Sequence, residues 1–134
     1  MPLLNHKFDE PLGYIEEYVQ RSQFTDGGST AGTYQLKSAI PIGAQVIVSL
    51  VTQLTGFTGD TSATLIIGDG TDHDRYNTGT PSVFTTANQV AMGAISGAAV
   101  HTAAVFPTLT VTSASDFTSV TAGALKVRIV YLKG

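Results

Sequence analysis

The chain has 134 residues, enough for one domain with a core of its own, and it contains no Cys, which removes disulfides and thiolate metal sites from consideration. Its net charge is -3, with seven basic residues scattered from Lys7 to Lys133, so no cationic patch for a nucleic-acid backbone is visible. Only 13% of residues are charged, about half the usual share, and Thr, Ala, Gly, Ser and Val take their place. A surface this poor in charge predicts self-association or attachment to something larger.

The leading stretch, MPLLNHKFDEP, lacks a basic start followed by a long apolar run, and no segment reaches the ~20 apolar residues of a membrane-spanning helix. Residues 1–28 read as an N-terminal arm or short helix. Pro11 opens it, and Leu12, Ile15 and Val19 follow at helical spacing, with Tyr14 and Tyr18 as a second apolar line. An extended GYIEEYV strand is the competing reading of the same residues.

Residues 29–134 read as a β-sandwich domain. TYQLKSAI alternates Tyr34, Leu36, Ser38 and Ile40 against Gln35, Lys37 and Ala39. AQVIVSLVTQL places Val46, Val48 and Leu50 on one face, with Ile47 and Val51 near the other. TSATLIIGDG is a strand ending at Gly68, PSVFTTA a short one, and ISGAAVHTAAVF one or two weak ones. TLTVTSASD sets Leu109 and Val111 against Thr108, Thr110 and Thr112. ALKVRIVYLK sets Leu125, Val127, Ile129 and Tyr131 against Lys126 and Arg128. Seven or eight short strands at this spacing leave no room for βα crossovers. The expected fold is all-β, an antiparallel β-sandwich of jelly-roll type, with a seven-stranded immunoglobulin-like sandwich as the competitor.

The charged loop GDGTDHDRY concentrates the candidate chemistry. Asp69, Asp72 and Asp74 offer oxygen ligands to a cation, but their spacing is not that of an EF-hand loop, and Arg75 competes for the same carboxylates. The favoured reading is a turn whose Asp side chains cap backbone amides, with Arg75 clamped on one of them. His73 lies between two Asp, yet neighbours on an extended chain point to opposite sides. No nucleophile elbow and no phosphate loop is present, and the sequence argues against catalysis and for no cofactor. Residues 85–105 carry no charge, which fits either a buried region or a subunit contact.

An early strand running into IPIGAQVIVSLVTQL, the strand and turn ATLIIGDGTDHDRY, and the acidic leading arm together resemble the cement, or head-decoration, proteins of tailed bacteriophages. The resemblance covers roughly residues 34–76, and the closing strand is compatible with it. It implies a jelly-roll-like domain, a homotrimer, bound to the major capsid protein on the outer surface of the virion, with no cofactor. It carries over no catalytic residue. Tyr14, Tyr18, Arg75, Tyr76 and Phe84 are the interface candidates, being aromatic or arginine side chains of the kind enriched at protein contacts. The alternative is a glycan- or receptor-binding module of a phage fibre or tail, in which exposed tyrosines would stack on sugar rings.

Overall fold

In the computed structural model, which describes residues 11–84, 92–95 and 100–134, the chain is an all-β sandwich of two antiparallel sheets. Its strands are β1 (Leu12–Gln20), β2 (Thr25–Asp26), β3 (Ala31–Gln35), β4 (Gln45–Thr58), β5 (Ala63–Gly68), β6 (Thr108–Ser113) and β7 (Ala122–Leu132). One sheet has the order β1-β7-β4 and the other β2-β3-β6-β5. A jelly roll in the strict sense has eight strands in two Greek keys; the described residues supply seven, in sheets of three and four.

The strongest alternation in the sequence makes the centre of the three-stranded sheet. On β7, Leu125, Val127 and Ile129 are buried and Tyr131 packs beside them, while Lys126 and Arg128 face outward. β1 and β4 flank it, so both edges of β7 are paired. In the facing sheet, β6 buries Leu109, Val111 and Ser113 and turns Thr108, Thr110 and Thr112 outward. β5 contributes Ala63, Leu65 and Ile67 to the same core. Each large aliphatic side chain buried here contributes roughly 1.5–3 kcal/mol. An aromatic group closes one end: Phe24 meets Phe57 edge-on at 5.8 Å and lies 6.1 Å from both Tyr34 and Phe117.

Residues 12–20 are not a helix but the competing reading, an extended strand, and not a loose arm. They pair along their whole length with β7, from Leu12 opposite Leu132 to Gln20 opposite Ala124. The helical spacing misled because the inward positions are Gly13, Ile15, Glu17 and Val19, only two of which are large and apolar. Gly13 is covered by the Tyr131 ring, and Glu17 hydrogen-bonds the Tyr34 hydroxyl and the Lys37 amide. A strand can hide these two among apolar neighbours, and a sequence pattern cannot show it. Residues 1–10 of the expected arm lie outside the described residues.

β4 also departs from simple alternation. Its pairing with β7 shifts register between Val46 and Val48, between Val51 and Gln53, and between Thr55 and Thr58. Ile47 is the extra residue of the first irregularity, so Val46, Ser49 and Val51 point inward while Val48 and Leu50 point outward.

The segment joining β5 to β6 folds back along the free edge of β5. Leu65 donates to the Pro81 carbonyl, and Ile67 accepts from the Tyr76 amide and donates to the Asn77 side chain. Val83 donates to the Ala63 carbonyl, and Thr64 bridges Ser82. The expected short strand at PSVFTTA is reduced, among the described residues, to these bridges and one between Phe57 and Phe84. Of the expected weak strands in ISGAAVHTAAVF, Val105 forms an isolated bridge with Ile40, while residues 85–91 and 96–99 lie outside the described set.

Candidate interaction surface

The charged loop follows directly from the end of β5. A Cβ on Gly68 would stand 2.2 Å from the Asp72 carbonyl, so only glycine lets the chain fold back here. One Asp69 carboxylate oxygen accepts from the amides of Thr71 (2.9 Å) and Asp72 (2.7 Å), and the other accepts from the Arg75 guanidinium at 3.1 Å. Partial burial works to raise the Asp69 pKa, but the two amides and the guanidinium outweigh it and hold the carboxyl below its ordinary value. Asp72 moves the other way, first because it shares a hydrogen bond with the Asp74 carboxyl and then through desolvation. Asp72, His73 and Asp74 are exposed. Among the described residues, no group of three or more His, Asp or Glu side chains converges to hold a metal ion. Asp69 and Arg75 hold the turn through these bonds.

Behind the loop, Tyr76 is a core residue. It is 1% exposed, and its hydroxyl lies 2.7 Å from His101 Nε2. His101 Nδ1 sits 2.8 Å from the Ala44 carbonyl, which can only accept. Nδ1 therefore donates to that carbonyl, and Nε2 shares a hydrogen bond with the Tyr76 hydroxyl. The rings stack at 5.9 Å. Ser49 donates to the Tyr76 carbonyl at 2.6 Å, which ties the outer strand β4 to the same knot. This geometry makes His101 a structural link between Tyr76 and the Ala44 carbonyl.

Tyr76 is thus corrected as an interface candidate: its ring fills the core. Arg75 is engaged with Asp69 and lies 5.4 Å from the Tyr76 ring centre, and Phe84 is half-buried against the core. Tyr14 and Tyr18 remain on the surface, 60% and 48% exposed.

Burial pushes the Tyr76 hydroxyl up to about 12, and burial together with the Glu17 carboxylate does the same to Tyr34. Both shifts favour the neutral phenol in the folded state. Their stabilisation is complete below the ordinary tyrosine value near 10 and is lost as pH rises toward 12. The thermal midpoint should hold up to about pH 10 and then fall steeply. Tyr76→Phe should flatten that fall while lowering the neutral-pH stability by about 1–3 kcal/mol, because His101 loses its partner. Melting curves against pH, with tyrosinate absorbance followed in parallel, check both.

The two outer faces of the sandwich differ sharply. The four-stranded sheet presents Thr25, Thr33 and Thr110 in one row with Ile66, and Ala31, Thr112 and Thr64 in the next. A depression of about 470 Å³ on this side is lined by Ala31, Thr33, Gly70, His73, Thr108 and Thr110.

The three-stranded sheet presents apolar side chains. Across it run the rows Leu12–Leu132–Gln45, Tyr14–Val130–Val48, Glu16–Arg128–Leu50 and Tyr18–Lys126–Gln53. Leu12, Leu50 and Leu132 are 49%, 37% and 40% exposed. One ion pair sits in the middle: Arg128 bonds Glu16 at 2.7 Å and lies 5.2 Å from the Tyr14 ring centre. With Tyr14 and Tyr18, these side chains leave several large apolar groups exposed on one face, of the kind that marks contact sites. The alternation test finds these residues, but it cannot tell a core face from an uncovered one.

No protein-family model matches the sequence, and no curated protein or solved structure matches it either.

Proposed function

We propose that this protein is a non-catalytic structural component of a phage virion, which decorates or cements the capsid by lying across neighbouring capsid subunits. The observation that carries the reading is the uncovered apolar face of the three-stranded sheet. Leu12, Tyr14, Tyr18, Leu50 and Leu132, exposed on one face beside the Glu16–Arg128 ion pair, suit a second surface that removes them from water. The charge-poor body and the resemblance of residues 34–76 to head-decoration proteins support the same reading. The shell partner is the major capsid protein and the site is the outer capsid surface. A closed homotrimer is the assembly that the resemblance implies. Many equivalent copies on one lattice gain from avidity what each contact lacks alone.

The test is co-sedimentation with assembled capsids. The wild-type chain should pellet with shells, and Tyr14→Ala combined with Leu132→Ala should weaken binding at least tenfold while circular dichroism stays unchanged. Wild-type protein left in the supernatant at every concentration would end the proposal.

A second reading rests on the same two tyrosines. Exposed Tyr14 and Tyr18 project from one strand in the manner of sugar-stacking rings, which fits a glycan- or receptor-binding module of a fibre or tail. Saturable glycan binding lost in the Tyr14→Ala variant, without capsid binding, would select it.

A further inference from the structure

Three of the four sheet edges are blunted. The free edge of β5 is covered by residues 76–83, β2 is two residues long, and β4 is broken by three register shifts. β1 is different. It runs nine residues in unbroken register, with no proline, no lysine and no bulge between Leu12 and Gln20.

Which groups it leaves open among the described residues follows from one hydrogen bond. Lys133 donates to the Pro11 carbonyl at 2.8 Å, which makes Pro11 and Lys133 a hydrogen-bonded pair of the ladder. Bonded and non-bonded pairs alternate, so Gly13, Ile15, Glu17 and Val19 bond to β7. The N–H and C=O groups of Leu12, Tyr14, Glu16 and Tyr18 point the other way. At Gln20 the outward amide is taken by the Gln23 side chain at 2.8 Å, which agrees with this parity and ends the open stretch.

We infer that this edge is a docking site for a second copy of the same strand, paired antiparallel about a two-fold axis that passes between the two Ile15 residues. In that register Leu12 faces Tyr18 of the other copy, and Tyr14 faces Glu16. Every open N–H and C=O of the stretch then meets its counterpart, and none is left over. Shifting the axis by one residue to Glu16 sets two carboxylates directly opposite and presents Leu12 to Gln20, whose amide is already used. Of these two registers, the one centred on Ile15 is the self-complementary one. The result is a continuous six-stranded sheet, β4-β7-β1 joined to its symmetry mate, and the apolar faces of the two copies merge into one surface. An isologous contact of this kind is closed and cannot propagate into fibres. It is separate from any three-fold contact and does not depend on capsid binding.

Molar mass by light scattering and amide exchange by NMR on the full chain test it. The expected mass is twice the 14.0 kDa of one chain, or an even multiple. The amides of Tyr14, Glu16 and Tyr18 should exchange as slowly as those of Ile15 and Glu17. Leu12→Lys with Tyr18→Lys puts like charges opposite each other at both ends and should weaken the pairing at least tenfold. Leu12→Glu with Tyr18→Lys puts opposite charges there and should restore it. Both pairs change exposed side chains, so the fold should survive either. A monomeric mass overturns the inference, as does an oligomer in which these three amides exchange fast. Slow exchange in a chain of monomeric mass would assign the edge to residues 1–10 of the same chain and equally overturn it. A rescue variant no better than the double lysine would overturn the register.

Discussion

Replacing Asn77 with Ala should lower the unfolding free energy by about 3–5 kcal/mol, a large part of the ~5–15 kcal/mol expected for a domain of this size. Asn77 is fully buried, and its carboxamide does three things at once. It accepts from the Ile67 amide at 2.5 Å and donates to the carbonyls of Gly79 at 3.0 Å and Leu65 at 3.4 Å. Removing it strands buried groups on the edge of β5 with no water to replace it. Asn77→Asp should fare no better, since it keeps the acceptor but loses the donor and buries a charge. Urea denaturation checks both variants. A loss below about 1 kcal/mol would mean that the loop can repair the edge without this side chain.

Phe117→Ala should cost a similar ~3–5 kcal/mol. Phe117 is fully buried, and Asp116 caps its short turn by accepting from the Thr118 amide at 3.0 Å. The Arg21 guanidinium sits 4.2 Å from the ring centre and donates to the Val120 carbonyl at 2.5 Å. On the other side β3 approaches so closely that a Cβ on Gly32 would lie 2.2 Å from the ring. Gly32→Ala should therefore destabilise the wild type by overpacking, about 1–3 kcal/mol or more, yet be close to neutral in the Phe117→Ala background. A double-mutant cycle by chemical denaturation measures that coupling, and additive costs would show that Gly32 and Phe117 do not share one space.

The parts of the fold that could be read in advance are those where one face is apolar and the other is not. β5, β6 and β7 are such strands: Leu109 and Val111 against three threonines, and Leu125, Val127 and Ile129 against Lys126 and Arg128, left little choice. β1 was misjudged because its apolar residues are divided between the two faces, with Ile15 and Val19 inside and Leu12, Tyr14 and Tyr18 outside. Such a division imitates helical spacing. β4 was legible as a strand but not in its facing, because an inserted residue at Ile47 inverts Val48 to Val51 until a second register shift before Gln53 restores the parity. The Asp69–Arg75 clamp was expected from the composition of its loop. The Tyr76–His101 pair and the Asn77 bracket were not, because each joins residues that only the tertiary fold brings together. In the sequence Tyr76 looked like a surface anchor because tyrosine is a residue type enriched at protein contacts.

The β1–β7 ladder has a kinetic meaning. β7 is the middle strand of its sheet and is synthesised after the other six, so β1 and β4 have no partner in that sheet until it arrives. Closing it demands a loop of more than a hundred residues, and β6, the hub of the opposite sheet, comes late as well. Folding should consequently be slow for a domain of this size, in the millisecond-to-second range of proteins dominated by distant pairings. Until then the growing chain exposes β1, the strand with the most open edge, for the whole of its synthesis.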